Sequence, residues 1–346
     1  MWIRRLRIEG IRNLEACDLE CGEGLNLVIG SNGAGKTSFL EAIYFLNRGS
    51  TFRGKKAGPM RQEGGRRCFV GCWGTNSSGV EWRGSRSCEK AEAALAGRRK
   101  GADSKLDKLM VRLISDSVYL LVEGQPELRR RFIDWNLFHV EPGYGSLVRE
   151  YRRTLSQRNA WLKAGASGPP VWDEPYVRLS LQLEQLREGY CLSLNKCFQE
   201  SCGSFGIGDG QVSIRWVGGF DKQHLRRDLV RMLETDRRRG FTFHGPDRAD
   251  FQVVTRDGVR LGSRGQNKAF GILLQIAASQ LGGAKSPRDI WLVDDIGSEL
   301  SEENAQSLVG MIQTHSCQVF LTALSQPVLD SSKMFHVEQG VICPAD

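Results

Sequence analysis

This sequence predicts an α/β nucleotide-binding fold that is split in two by a mainly helical lobe. Three observations carry that prediction. A glycine-rich loop lies between a strand and a helix near the start, two aspartates close an apolar strand near the end, and helix-periodic stretches fill the space between them. The loop is Gly30-Ser31-Asn32-Gly33-Ala34-Gly35-Lys36-Thr37, which fits the pattern G-x-x-x-x-G-K-[ST]. Before it, Leu25, Leu27, Val28 and Ile29 read as a buried strand; after it, Phe39, Leu40, Ile43, Tyr44 and Leu46 fall at helical spacing. Glycines let backbone N–H groups close around phosphate oxygens with no Cβ in the way, and a helix N-terminus adds partial positive charge. In such a loop Lys36 reaches the β- and γ-phosphates of a nucleotide, and Thr37 offers its hydroxyl to Mg²⁺.

Taken in order, residues 2–29 read as three short strands. Ile3, Leu6 and Ile8 begin the first, Leu14 to Leu19 form the second and Leu25 to Ile29 the third, with Gly22 and Gly24 in a turn. The helix that opens in the loop runs to about Asn47. Residues 48–105 mix Gly, Arg and short alternating segments, the texture of a β-meander with exposed basic turns; Arg98-Arg99-Lys100 reads as one loop tip. Apolar periodicity returns at 106–120, so the first part of the nucleotide-binding lobe is placed at 1–120.

The inserted, mainly helical lobe is placed at 121–245. Tyr144 to Lys163 and Pro175 to Phe198 each carry one apolar stripe, and the turn from Gly165 to Pro170 makes them an antiparallel pair. A short α/β stretch at 211–245 closes the lobe, with Arg237-Arg238-Arg239 on a helix ended by Gly240. Residues 246–346 are assigned to the second part of the nucleotide-binding lobe. They comprise a strand at Phe251–Thr255, a hairpin turn at Asp257-Gly258, an apolar helix from Ala269 to Leu281 and a buried strand at Ile290–Val293. A helix near Ser301–Thr314 and a strand at Gln318–Thr322 follow.

A chain of 346 residues with 40% hydrophobic and 25% charged side chains has ample material for a sizeable core. A formal net charge of +8 is a modest basic excess that suits polyanionic partners without specifying one. The ten cysteines contain no C-x-x-C pair, and Cys17/Cys21 and Cys68/Cys72 have no neighbouring His. Reduced thiols in a cytosolic protein are therefore expected. Arg4, Arg5 and Arg7 interrupt the first apolar residues, and no run of eighteen apolar residues occurs, so neither a secretory segment nor a membrane span is expected.

Asp294-Asp295 ends the strand Ile290–Val293. A carboxylate at such a place holds Mg²⁺ and a second beside it orients the attacking water, which gives Asp294 the metal and Asp295 the water. The loop Gly262-Ser263-Arg264-Gly265-Gln266 stands immediately before a helix and about thirty residues ahead of the aspartates. Its backbone N–H groups and Ser263 can bind a phosphate, in one arrangement the γ-phosphate held by another subunit. Arg129, Arg130 and Arg131 either contact phosphate or pair with Glu123 and Glu127 on a helix. Arg237 to Arg239 read as a solvated face.

Together these stretches resemble the head of ABC-type ATPases of the SMC class, and within it the RecF family of bacterial recombination and repair proteins. The residues that carry the likeness are Arg12-Asn13, the phosphate loop, Arg129 to Trp135, Phe138 to Pro142, Gly245-Pro246-x-Arg248-x-Asp250, Gly262 to Gln266, and Asp294-Asp295 with Ser298-Glu299-Leu300. The resemblance implies ATP and Mg²⁺ as cofactors, with Gly30 to Thr37 on the nucleotide, Lys36 and Asp295 supporting slow hydrolysis, Thr37 and Asp294 on the metal, and Ser263 to Gln266 reading the partner's γ-phosphate. It further implies an ATP-dependent homodimer that binds duplex, gapped or junction DNA. RecO and RecR are implied partners in loading recombinase at gaps and in SOS induction. Asp247 stands where the family has His, Asn267-Lys268 where it has Gln-Arg, and Ser301 where it has Asp. The alternative reading is a small-molecule phosphotransferase that uses the same loop independently of DNA.

Overall fold

The computed structural model describes residues 2–53, 60–62, 67–75, 79–88, 109–165, 170–207, 211–256, 263–282, 289–297, 300–314, 317–325 and 333–345. The basic tip at Arg98 to Lys100, the turn at Asp257-Gly258, and Gly262, Ser298 and Glu299 lie outside these residues. The chain forms two compact units, Met1–Val118 with Gly283–Asp346, and Tyr119–Gly282.

The first unit holds two sheets. Strands β1 (Trp2–Glu9), β2 (Cys17–Glu20), β4 (Phe69–Thr75) and β5 (Glu81–Ser87) form an antiparallel sheet in the order β2-β1-β4-β5. Strands β3 (Leu25–Ile29), β6 (Val111–Ile114), β9 (Ile290–Val293), β10 (Gln318–Ala323), β11 (Lys333–Glu338) and β12 (Val341–Ala345) form the other, in the order β12-β11-β3-β10-β9-β6. All its pairings are parallel except β11 with β12. β3 is buried along its whole length, as a strand inside a parallel sheet must be. Helix α1 (Lys36–Arg48) packs against strands of both sheets and is buried nearly all round, which explains its run of Phe39, Leu40, Ala42, Ile43, Phe45 and Leu46. Phe39 meets Phe320 edge-on at 5.9 Å, joining helix and sheet. The buried amide of Gln318 ties the start of β10 to the other sheet: its Oε1 accepts from Ile3 N at 2.8 Å and its Nε2 donates to Ile3 O at 2.7 Å.

β4 and β5 pair antiparallel up to Phe69↔Ser87, and the next pair across the ladder, Cys68 and Cys88, forms a disulfide with Cα atoms 5.4 Å apart. The expectation of reduced thiols throughout fails at this pair. Spacing along the chain gave no hint, because strand pairing made the two cysteines neighbours.

The second unit is built on a 32-residue helix, α5 (Asp173–Ser204). The other elements are α2 (Leu120–Glu123), α3 (Pro126–Val140), α4 (Tyr144–Lys163), α6 (Leu225–Arg231), α7 (Leu233–Arg239), α8 (Arg264–Gln280) and the two-stranded sheet of β7 (Val212–Val217) and β8 (Asp250–Thr255); α3, α4, α6, α8 and β7 pack directly on α5. The boundary expected after residue 245 needs correcting. β8 pairs with β7, and α8 lies along α5 with Phe270 6.3 Å from Phe198, so residues 246–282 belong to the helical unit. Helix α9 (Glu302–Gln313) returns to the first unit.

Two family-like segments turn out to be staples of the second unit. Arg129 is 1% exposed and meets Asp250 through two hydrogen bonds, Nε to Oδ1 at 2.7 Å and NH2 to Oδ2 at 2.8 Å. Arg130 donates to Ala249 O at 2.8 Å, and only Arg131 makes the expected pair with Glu127, on the surface. Asp134 takes a second fork from Arg187, whose NH1 also donates to Pro246 O at 2.8 Å. Asp247 accepts from the Tyr151 hydroxyl at 3.2 Å. Removing one partner of a buried, fully hydrogen-bonded ion pair leaves the other charge stranded, at about 3–5 kcal/mol. Arg129→Ala is therefore expected to lower the unfolding free energy by about that amount in denaturant titration, while Arg131→Ala should cost under about 0.5 kcal/mol.

Candidate nucleotide-binding site

The chain leaves β3 through Gly30, where a Cβ would lie 2.3 Å from Val337 O of the adjoining β11. Gly35, with φ 125°, caps α1 without a side-chain hydrogen bond, and the first turn carries no acidic residue. The leading N–H groups of α1 thus have no capping side chain as a competing acceptor, and the turn itself carries no acidic side chain to repel an anion. Lys36 Nζ donates to Gly30 O at 2.7 Å and Ser31 O at 2.9 Å, which leaves a third ammonium hydrogen for a phosphate oxygen.

Side chains from elsewhere hold this loop in shape. Asn13 Nδ2 donates to Gly33 O at 3.1 Å, and its Oδ1 accepts from Ser38 Oγ at 2.9 Å. Arg12, with φ 51°, forks onto the buried Glu41 through two bonds of 2.9 Å. The turn between β11 and β12 braces the loop from the other side: Gly340 N donates to Ala34 O at 2.8 Å, and Gly340 O accepts from Glu15 N at 2.9 Å.

β9 delivers Asp294 to the same place. Its Oδ1 accepts from Thr37 Oγ1 at 3.0 Å and from Thr322 Oγ1 at 2.9 Å. Thr322 lies on β10, between the two strands, and its oxygen also accepts from Asp295 N at 3.0 Å. Asp295 has φ 47°, a backbone conformation that is uncommon outside glycine and concentrates at functional sites. Burial pushes the Asp294 carboxyl above the ordinary range, against the opposing pull of hydrogen bonds from Thr322 and Thr37. A threonine hydroxyl and a carboxylate oxygen at this separation are hard donors of the kind Mg²⁺ takes, so Thr37 and Asp294 fit that ion.

These groups open onto a cleft of about 960 Å³, large enough for a nucleotide, with Arg53, Arg61, Gln62, Ser115, Asp116 and Ser117 also on its walls. The sequence reading missed those six residues, along with Thr322 and Gly340. A threonine at the end of a buried strand and a glycine in a two-residue turn are the only signals it had for the last two.

Ser263, Arg264, Gly265 and Gln266 belong to the second unit and do not line this cleft. They start α8 with a capping box: Ser263 Oγ accepts from Gln266 N, and Gln266 Oε1 accepts from Ser263 N, each at 3.3 Å. Ser263, Arg264 and Gln266 are exposed. Asn267 and Lys268 are buried, and Asn267 Nδ2 donates to Glu123 Oε2 at 3.1 Å. Ser301 caps α9 by accepting from Asn304 N at 3.3 Å.

Two substitutions separate bracing from binding. Gly340 has φ 90° and its Cβ would sit 2.0 Å from Asn13 O, so Gly340→Ala is expected to cost at least about 1–3 kcal/mol of stability and to loosen the loop. Asp294→Asn removes a carboxylate whose charge burial disfavours. The free variant is expected to melt at or above the parent's temperature, yet to lose the extra stabilisation by ATP that depends on Mg²⁺. Differential scanning fluorimetry, with and without each ligand, reads both outcomes.

A family model described as an AAA domain matches residues 5–69. The chain is 31% identical over 366 residues to the DNA replication and repair protein RecF of Pseudomonas putida strain W619, covering 99% of this chain and 98% of that protein. It is 32% identical over 363 residues to the same-named protein of Vibrio cholerae serotype O1, Classical Ogawa 395, covering 99% of each. Among solved structures it superposes on a recombination mediator protein RecF with ATP, of the RecFOR pathway, with TM-score 0.83 at 20% identity over 100% of this chain and 98% of that one. An Smc head bound to the C-terminal winged-helix domain of ScpA follows with TM-score 0.58 at 13% identity, over 100% and 97%. The fold is that of a P-loop ATPase head of the ABC/SMC type. With identity above 30% along essentially the whole of both chains, the protein belongs to the RecF family of DNA replication and repair proteins.

Proposed function

We propose that this protein is an ATP-dependent DNA-binding clamp in recombinational repair and replication-fork maintenance. The observation that supports it most is the 3.0 Å contact between Thr37 and Asp294, 257 residues apart, which completes a nucleotide site in a member of a DNA-repair family. Gly30 to Thr37 wrap the phosphates, and Lys36 neutralises charge on the β- and γ-oxygens. Thr37 and Asp294 hold Mg²⁺, which when bound screens the phosphate charge. Asp295 orients the attacking water for a slow hydrolysis that resets the clamp.

Ser263 to Gln266 of one subunit contact the γ-phosphate held by the other, so the exposed start of α8 becomes an interface only when ATP is present. Nucleotide binding then favours the dimer, and the closed dimer grips duplex, gapped or junction DNA. RecO and RecR are the proposed partners in recombinase loading at gaps and in SOS induction.

Analytical ultracentrifugation with ATP·Mg²⁺ and a gapped duplex tests this reading. The parent protein is expected to dimerise and carry DNA, whereas Ser263→Arg binds ATP but stays monomeric. A parent that binds ATP as a monomer and ignores DNA would sink the clamp in favour of a DNA-independent phosphotransferase. Separately, Lys36→Ala should weaken ATP binding by about 2 kcal/mol, roughly thirtyfold, in a fluorescent-nucleotide titration.

A further inference from the structure

Helix α7 ends in Arg237-Arg238-Arg239, and Gly240 at φ 71° turns the chain sharply back. That turn brings Phe243 beneath two guanidiniums, with Arg239 5.2 Å and Arg248 4.4 Å from its ring centroid. The ring is itself 37% exposed, so the two cations are presented to solvent on an aromatic support. Lys163, at the end of α4, lies against Gly240 and extends the same edge.

Several arginines of this unit have carboxylate partners. Arg237 pairs with Glu234, Arg226 with Glu174 and Arg231 with Asp228. Among the described residues Lys163, Arg238, Arg239 and Arg248 have none, although all four are exposed. Asp247, the acid next to Arg248, takes the Tyr151 hydroxyl and no arginine. What sets this edge apart is that four such cations meet there, two of them spaced by a shared ring.

We propose that Arg239 and Arg248, held by Phe243 and flanked by Arg238 and Lys163, form a clamp for the phosphodiester backbone of duplex DNA. The proposal rests on the DNA-binding reading above and says where, within the helical unit, one contact is made. Guanidiniums already occupy the Phe243 ring, and Phe241 beside it is a single exposed side chain, so the surface offers clustered charge and no row of free stacking platforms. A single strand draws much of its affinity from base stacking, and a peptide partner from buried anchors. Backbone contact to a duplex needs neither.

Fluorescence anisotropy with a labelled duplex, the full-length protein and ATP·Mg²⁺, titrated at salt between about 50 and 200 mM, is the test. Each lost phosphate contact flattens the slope of log K against log salt by about 0.9, so R239Q/R248Q is expected to flatten it by about 2. The same variant should bind at least tenfold more weakly at the lower salt, with fluorescent-ATP binding unchanged. F243L keeps both charges but frees them, and is expected to weaken binding about threefold with little change in slope. If the parent binds the duplex and R239Q/R248Q matches it in affinity and slope, this surface is not a DNA contact and the clamp reading survives. If the parent binds no duplex at all, both fall. Displacement of the duplex by poly-glutamate or by a single strand at equal charge concentration overturns the assignment in favour of an acidic protein or a single strand.

Discussion

The parallel ladder that seats β10 between β3 and β9 is the constraint on which the site depends. Its register sets Thr322 beside Val28 and Leu321 beside Val293, so the phosphate loop and the aspartate pair leave neighbouring strands at the same end. Thr322 then bridges them, donating to Asp294 and accepting from the backbone of Asp295. A slip of one residue would turn that hydroxyl to the opposite face of the sheet. With it would go the support for Asp294 and for the positive φ of Asp295. The turn at Gly340 closes the arrangement from the far side by bonding Ala34 and Glu15. Nucleotide chemistry is thus assembled from both ends of the chain and steadied by residues that need not touch the ligand.

Buried charge serves two purposes, ligand capture and stapling. In the first, Lys36 and Asp294 are held part-satisfied, Lys36 by carbonyls and Asp294 by hydroxyls, and each retains capacity for an incoming partner. In the second, Arg129 with Asp250 and Arg187 with Asp134 are forked and saturated, which suits staples and leaves little for ligands. Where α7 ends, exposed cations instead share the Phe243 ring.

Much of the architecture was legible. β3, β9, α1, α4 and the capped start of α9 follow from apolar runs, helical spacing, and the signals of Gly and Ser at their ends. The last two strands were not. β11 alternates as Lys333-Met334-Phe335-His336-Val337-Glu338, a short pattern that is equally at home in a loop, and only pairing with β3 gives it meaning. The boundary after 245 failed for a related reason. Residues 250–255 and 264–280 have the texture of a strand and an apolar helix, and texture does not say which sheet or helix will be the partner. Cys68 and Cys88, 20 residues apart, became a pair through strand register alone.

Sequence by itself determined the chemistry that neighbours along the chain can supply. The glycines, Lys36 and Thr37 lie within one turn of each other, and Asp294-Asp295 needs only a strand end, so spacing alone singles them out as candidates. Tertiary structure decided everything that depends on partners far apart in the chain. It placed Thr37 against Asp294, set Gly340 behind the phosphate loop, gave Arg129 to Asp250 instead of Glu123 or Glu127, and brought Arg239 and Arg248 over Phe243. Those outcomes turn on strand order and helix packing, and a buried charge takes whichever partner the packing brings within hydrogen-bond reach, because leaving it without one costs several kcal/mol.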